Sequence, residues 1–127
     1  MAVQKVVTYG HPALRAISKN ITDFSNIRSL IDDLFDTMYE FDGIGLAANQ
    51  IGILKKIVTI NLPNENNEKN KIYTLFNPII TSYSKKKIIM EEGCLSIPKQ
   101  FANIERPENI TIAVSYTHLT LPTIYSV

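Results

Sequence analysis

The stretch IRSLIDDLFDTMYEFDGIGLAANQIGILKKIVTINL, residues 27–62, holds a helical pattern, a strand pattern and the break between them. Ile27, Leu30, Ile31, Leu34, Phe35, Met38 and Tyr39 recur at three- and four-residue spacing, which on a helix makes one apolar face. Ser25 is the expected N-cap, and Asp42-Gly43 ends the pattern. Asp32, Asp33, Asp36 and Glu40 fall mostly on the other side, the expected solvated face. Glycines at 43, 45 and 52 break the helix, and residues 56–62 (KIVTINL), rich in β-branched side chains, read as a strand.

Outward from this centre, residues 3–9 read as an extended arm that enters a turn at Gly10-His11-Pro12. Downstream come a polar loop (63–71, PNENNEKNK) and strand-like runs at 72–80 (IYTLFNPII) and 86–92 (KKIIMEE). An irregular stretch follows EEGCLSIP, and a last strand-like piece spans 109–112. With no repeat and no interior linker, the pattern predicts an α+β fold, a mostly antiparallel sheet packed with one amphipathic helix. The final residues, VSYTHLTLPTIYSV, resemble a translated sequencing-library adapter. The expected division is therefore a partial domain at 1–113 and a non-native tail at 114–127.

At 127 residues there is room for one domain. A formal charge of +1 gives no electrostatic reason to expect nucleic acid or an acidic membrane as partner. The single cysteine, Cys94, excludes an intramolecular disulfide and suits a reducing compartment. The first residues lack the apolar core of a signal peptide, and no apolar run reaches bilayer length, so the expected location is cytoplasmic.

Two segments carry chemistry. In Gly43-Ile44-Gly45-Leu46-Ala47-Ala48-Asn49-Gln50, small residues let a ligand or another backbone come close, and the Gln50 amide can donate to a developing oxyanion. A plain glycine turn is the competing reading. In Glu91-Glu92-Gly93-Cys94-Leu95-Ser96-Ile97-Pro98, a thiolate beside glycine is open to a soft or borderline metal, and the Leu95 N–H can point into the same site. Alone, Cys94 also reads as a small buried hydrophobe.

Together, in this order and with strand-rich sequence between them, GIGLAANQ and EGCLS resemble peptide deformylase. The resemblance runs from about Val3 to Ile112 and includes Pro12-Ala13-Leu14-Arg15. It implies a metal-dependent amidohydrolase that removes formate from the formyl-methionine of nascent, ribosome-associated polypeptides. It implies Fe2+, or a substitute such as Zn2+ or Ni2+, held by Cys94 and by two histidines of an H-E-x-x-H helix. Gln50 and the Leu95 N–H match the groups that cradle the formyl oxygen. Gly43, Ile44 and Gly45 match the edge that pairs with the substrate peptide, and Arg106 and Glu92 match groups around the cysteine.

The two histidines present, His11 before a proline and His118 in the tail, do not form H-E-x-x-H. This polypeptide is accordingly expected neither to hold metal tightly nor to deformylate. Two alternatives stand beside the enzyme reading. One is a non-catalytic deformylase-like module that binds peptides; the other is a thiol enzyme with Cys94 as nucleophile and a histidine as base.

Overall fold

The computed structural model describes residues 2–62, 71–114 and 118–122, the last five by backbone alone. One helix, α1 (Ile27–Glu40), packs on a three-stranded antiparallel sheet of β1 (Gly45–Ala47), β2 (Ile57–Leu62) and β3 (Lys71–Phe76), in the order β1-β2-β3. A second antiparallel sheet joins β4 (Ile79–Tyr83), β7 (Asn109–Ala113) and β8 (His118–Pro122). The remaining strands, β5 (Lys87–Cys94) and β6 (Ile97–Pro107), form a two-stranded ribbon. The expected α+β class with antiparallel pairing is what the chain adopts. The expected polar loop lies mostly outside the described residues.

The centre of the fold is β2, whose side chains alternate between two interiors. Ile57 joins Leu34, Met38, Leu46 and Ala48 beneath α1. Ile60, with Val58 and Leu62 beside it, joins Leu75 and Ile112 in a second cluster that reaches β7 of the other sheet. Thr59 faces the helix side, where its hydroxyl donates to the Leu46 carbonyl at 3.2 Å.

The helix follows its sequence pattern at Leu34 and Met38, both fully buried, but Tyr39 is 47% exposed. Thr37, outside that pattern, has no exposed surface. Its hydroxyl donates to the Asp33 carbonyl at 2.7 Å and accepts the Gln4 N–H at 2.8 Å. Asp33 does not belong to a purely solvated face either: its carboxylate accepts from Ala2 N (2.8 Å) and Gln4 Nε2 (3.3 Å). Both residues tie down the N-terminal arm. Ser25 is not the cap. Asn26 takes that position, and the Ser25 N–H is held by Asp23 Oδ1 at 2.9 Å in a local turn.

At the other end, the Gly43 N–H donates to the Met38 carbonyl (2.9 Å) and the Asp42 N–H to that of Tyr39 (3.3 Å), a Schellman closure. Asp42 itself takes the left-handed conformation (φ 54°) that glycine usually fills at that position.

Two strand expectations need correction. The run 72–80 is not one strand but β3 and β4, broken at Asn77, whose φ is 50°. Its side chain accepts from Ile21 N (2.7 Å) and donates to Ile21 O (3.0 Å), tying the break to the N-terminal segment. The stretch after EEGCLSIP is not irregular but the eleven-residue β6. Its side chains are mostly exposed, so no apolar alternation marks it in the sequence.

Candidate functional site

Three elements converge on a cleft of about 680 Å3: the end of α1 with β1, the turn between β5 and β6, and the N-terminal arm. Six of the residues singled out from the sequence line it: Gly43, Ile44, Gly45, Gln50, Cys94 and Leu95.

β1 is an edge strand of its sheet. One side pairs with β2, Gly45 opposite Ile60, and the Asn61 N–H donates to the Ile44 carbonyl at 2.8 Å. The other edge is left to the cleft, where an extended segment could add as a further strand. Gly43 has a separate task. A Cβ there would stand 2.9 Å from Leu95 Cδ1, so its hydrogen makes room for the side chain that carries the second motif. Leu95 then packs against the cluster under α1. The two motifs are thus in direct contact.

After β1 the chain turns through a short 3₁₀ segment, Ala48–Ile51, closed by Gly52 at φ 84°. This turn brings the Gln50 side chain inward, 7% exposed. Its Oε1 accepts the Ala47 N–H at 3.0 Å, which fixes which end of the carboxamide is the donor. Nε2 then lies 3.2 Å from Ser96 Oγ and 3.5 Å from Cys94 Sγ. On the opposing ribbon Cys94 pairs with Ile97 across Leu95 and Ser96, a two-residue connection that presents the exposed thiol at its tip. At Gly93, a Cβ would meet the Phe101 ring at 2.6 Å, so glycine lets that ring come close to the cysteine strand.

The arm completes the arrangement. The Val7 N–H donates to the Gln50 carbonyl (2.7 Å) and the Tyr9 N–H to the Ser96 carbonyl (2.8 Å). In an extended chain alternate residues face one way, so residues 7 and 9 grip both motifs at once. Lys5, Val6 and Thr8 also line the cleft. None of these arm contacts was marked in the sequence, because backbone hydrogen bonds leave no residue signature. Ser96, which nothing in the sequence pattern marks for a task, is only 3% exposed.

Glu92 and Arg106 pair with each other, Nε to Oε2 at 2.5 Å, and neither lines the cleft. The hydrogen bond that it donates to Glu92 holds the Arg106 guanidinium above its ordinary pKa. His11 is a turn residue whose Nδ1 accepts the Ala13 N–H at 3.1 Å. The His118 side chain lies outside the described residues. No described imidazole lines the cleft to serve Cys94 as a base.

An open strand edge, a fixed carboxamide and an exposed cysteine thus surround one cleft of an α+β domain. The polypeptide deformylase family model matches residues 3–121, and the chain belongs to that family. It is 45% identical over 109 residues to peptide deformylase 1B, chloroplastic, of Oryza sativa subsp. japonica, covering 85% of this chain and 40% of that protein. It is 39% identical over 113 residues to the peptide deformylase of Rhizobium meliloti (strain 1021), covering 88% of this chain and 64% of that one. Among solved structures, the peptide deformylase of Thermotoga maritima superposes with a TM-score of 0.88 at 30% identity, over 98% of this chain and 84% of the other. That of Ehrlichia chaffeensis in complex with actinonin gives 0.85 at 33% identity, over 96% and 75%. The chain thus spans 40% and 64% of the rice and Rhizobium relatives.

The family implies a catalytic metal. Among the described residues no group of three His, Cys, Asp or Glu side chains is placed to hold one. Cys94 offers a single thiolate, with a carboxamide beside it, whereas a catalytic site of this kind takes three protein ligands. The described residues do not fit a held metal.

Proposed function

We propose that the protein acts in the hydrolytic removal of the formyl group from N-terminal formyl-methionine, and that this chain supplies the substrate cradle. The observation that carries the reading is the position of Gln50: its donor nitrogen stands 3.5 Å from the Cys94 sulfur, beside the open edge of β1. A formylated peptide lying along Gly43, Ile44 and Gly45 would pair its backbone with that edge. Its formyl oxygen would then meet Gln50 Nε2 and the Leu95 N–H, donors aimed where negative charge develops. Removing one such donor in a complete site costs about a hundred- to a thousandfold in rate.

In the intact family enzyme the metal, proposed as iron with zinc or nickel as substitutes, would take Cys94 as one of three protein ligands, and this chain, which offers that one thiolate among its described residues, is proposed not to hold it tightly. The proposed substrate is a nascent chain at the ribosome, and the proposed compartment is the cytoplasm. Among the described residues no helix is long and apolar enough to cross a membrane. Residues 114–127 remain proposed as a non-native tail, which sequencing the gene through the codon of Ala113 tests.

The test titrates the 15N-labelled chain with a formyl-methionyl tripeptide and, separately, with the same tripeptide unformylated. Formyl-dependent shifts at the Gln50 side-chain amide and the Leu95 N–H support the reading. Equal responses to both peptides refute it. Formate release after anaerobic loading with iron is expected to be negligible, because one thiolate leaves the ion without its other ligands. Turnover near that of an intact deformylase would show that the missing donors are supplied elsewhere in this chain.

A further inference from the structure

A carboxamide can serve an oxyanion only if its N–H bonds are aimed before the substrate arrives, and rotation about its side-chain torsions would otherwise spread them over many directions. The Gln50 carboxamide is held at both ends. Oε1 takes the Ala47 N–H at 3.0 Å, and Nε2 gives one hydrogen to Ser96 Oγ at 3.2 Å. With the oxygen and one hydrogen committed, the second hydrogen has one direction left, toward Cys94 Sγ at 3.5 Å and the cleft. That contact is long, and it is directed to sulfur, a weak acceptor. This hydrogen is therefore the one an arriving oxygen can take over at little loss.

We propose that Ser96 is a positioning residue for Gln50: its hydroxyl oxygen anchors one Nε2 hydrogen so that the other stays aimed at the mouth beside Cys94. Three observations bear on this independently of the sequence motifs. Ser96 is 3% exposed, so its hydroxyl does not turn freely into water. Its carbonyl is gripped by the Tyr9 N–H at 2.8 Å, while the Gln50 carbonyl is gripped by the Val7 N–H at 2.7 Å. One segment therefore ties the backbones of the two residues together. The Leu95–Ser96 connection is also the shortest that can join β5 to β6. Thiol, backbone donor and hydroxyl consequently sit on three successive residues with little freedom to separate. The catalytic part of this inference rests on the deformylase reading; the geometric part does not.

The test is the Gln50 side-chain amide in the 15N-labelled full chain, assigned by its loss in Gln50→Glu and compared with the exposed Gln100. In the wild-type protein one Gln50 proton is expected to exchange with solvent about tenfold or more slowly than those of Gln100. Ser96→Ala should remove most of that protection and move the resonance toward that of Gln100. Ser96→Thr, which keeps the oxygen, should restore it. Unchanged protection in a folded Ser96→Ala chain overturns the proposal, as does a folded Ser96→Thr chain that leaves Gln50 unprotected. If the alanine variant does not fold, the wild-type protein decides alone: two Gln50 protons exchanging as fast as those of Gln100 overturn it, and one slow proton upholds it. The readout needs neither peptide nor turnover. A failed formyl-peptide titration would sink the deformylase reading while leaving the Ser96 result standing, and the reverse also holds.

Discussion

Replacing Thr37 by valine tests whether the helix holds the cleft through the N-terminal arm. Valine nearly matches threonine in shape, so packing beside the fully buried Leu34 and Met38 changes little. What disappears is the hydroxyl that accepts the Gln4 N–H at 2.8 Å and donates to the Asp33 carbonyl at 2.7 Å. The carbonyl can keep its helical partner, but the half-buried Gln4 N–H loses its acceptor. Such a loss costs about 1–2 kcal/mol, or roughly 3–10 °C in Tm for a chain of this size.

The same change should reach the cleft. If the arm opens more readily by about 1–2 kcal/mol, the Val7 and Tyr9 amides should exchange about 5- to 30-fold faster. Those amides hold Gln50 and Ser96. Urea unfolding and residue-resolved hydrogen exchange measure both effects, and Thr37→Ser, which keeps both hydrogen bonds, is the control. Thr37→Val melting with the wild type and leaving residues 7 and 9 equally protected would refute the reasoning.

Three further outcomes are expected. Asn77→Ala deprives Ile21 of both backbone partners and places alanine at φ 50°, so a loss of roughly 2–4 kcal/mol is expected by urea unfolding. Gly43→Ala sets a methyl 2.9 Å from Leu95 Cδ1; about 1 kcal/mol should be lost and the Leu95 N–H resonance should shift, while a silent Leu95 would contradict the contact. The Asp23 carboxyl is held below its ordinary value of 3.8 by hydrogen bonds from the Ser25 side chain and then its backbone. A carboxyl depressed on folding stabilises above its unfolded value, and that contribution is lost as pH falls through the folded one. Ser25→Ala should therefore raise the Asp23 midpoint in an NMR titration and lessen the loss of stability on acidification below 3.8.

The helix was legible because Leu34 and Met38 recur at the spacing that buries them. Thr37 was not, since its burial depends on a hydrogen bond to a residue 33 positions away. The break at Asn77 hid inside a run of strand formers for a similar reason: it is set by distant Ile21. In the site, small residues and a lone thiol announced both motifs, and the structure gathers Gly43, Ile44, Gly45, Gln50, Cys94 and Leu95 around one cleft but leaves Glu92 and Arg106 outside it. What holds Gln50 in place, the arm and the Ser96 hydroxyl, acts through long-range backbone contacts and one buried residue. Neither has a spacing to read.

Because β2 feeds a different interior with each successive side chain, it has no spare face. Inserting or deleting a single residue between Ile57 and Thr59 would send Ile60 toward the helix and Thr59 into the apolar cluster shared with β7, inverting two cores in one stroke. Length along this strand is therefore expected to be far less forgiving than side-chain identity, and variation in chain length should gather in the connections around it.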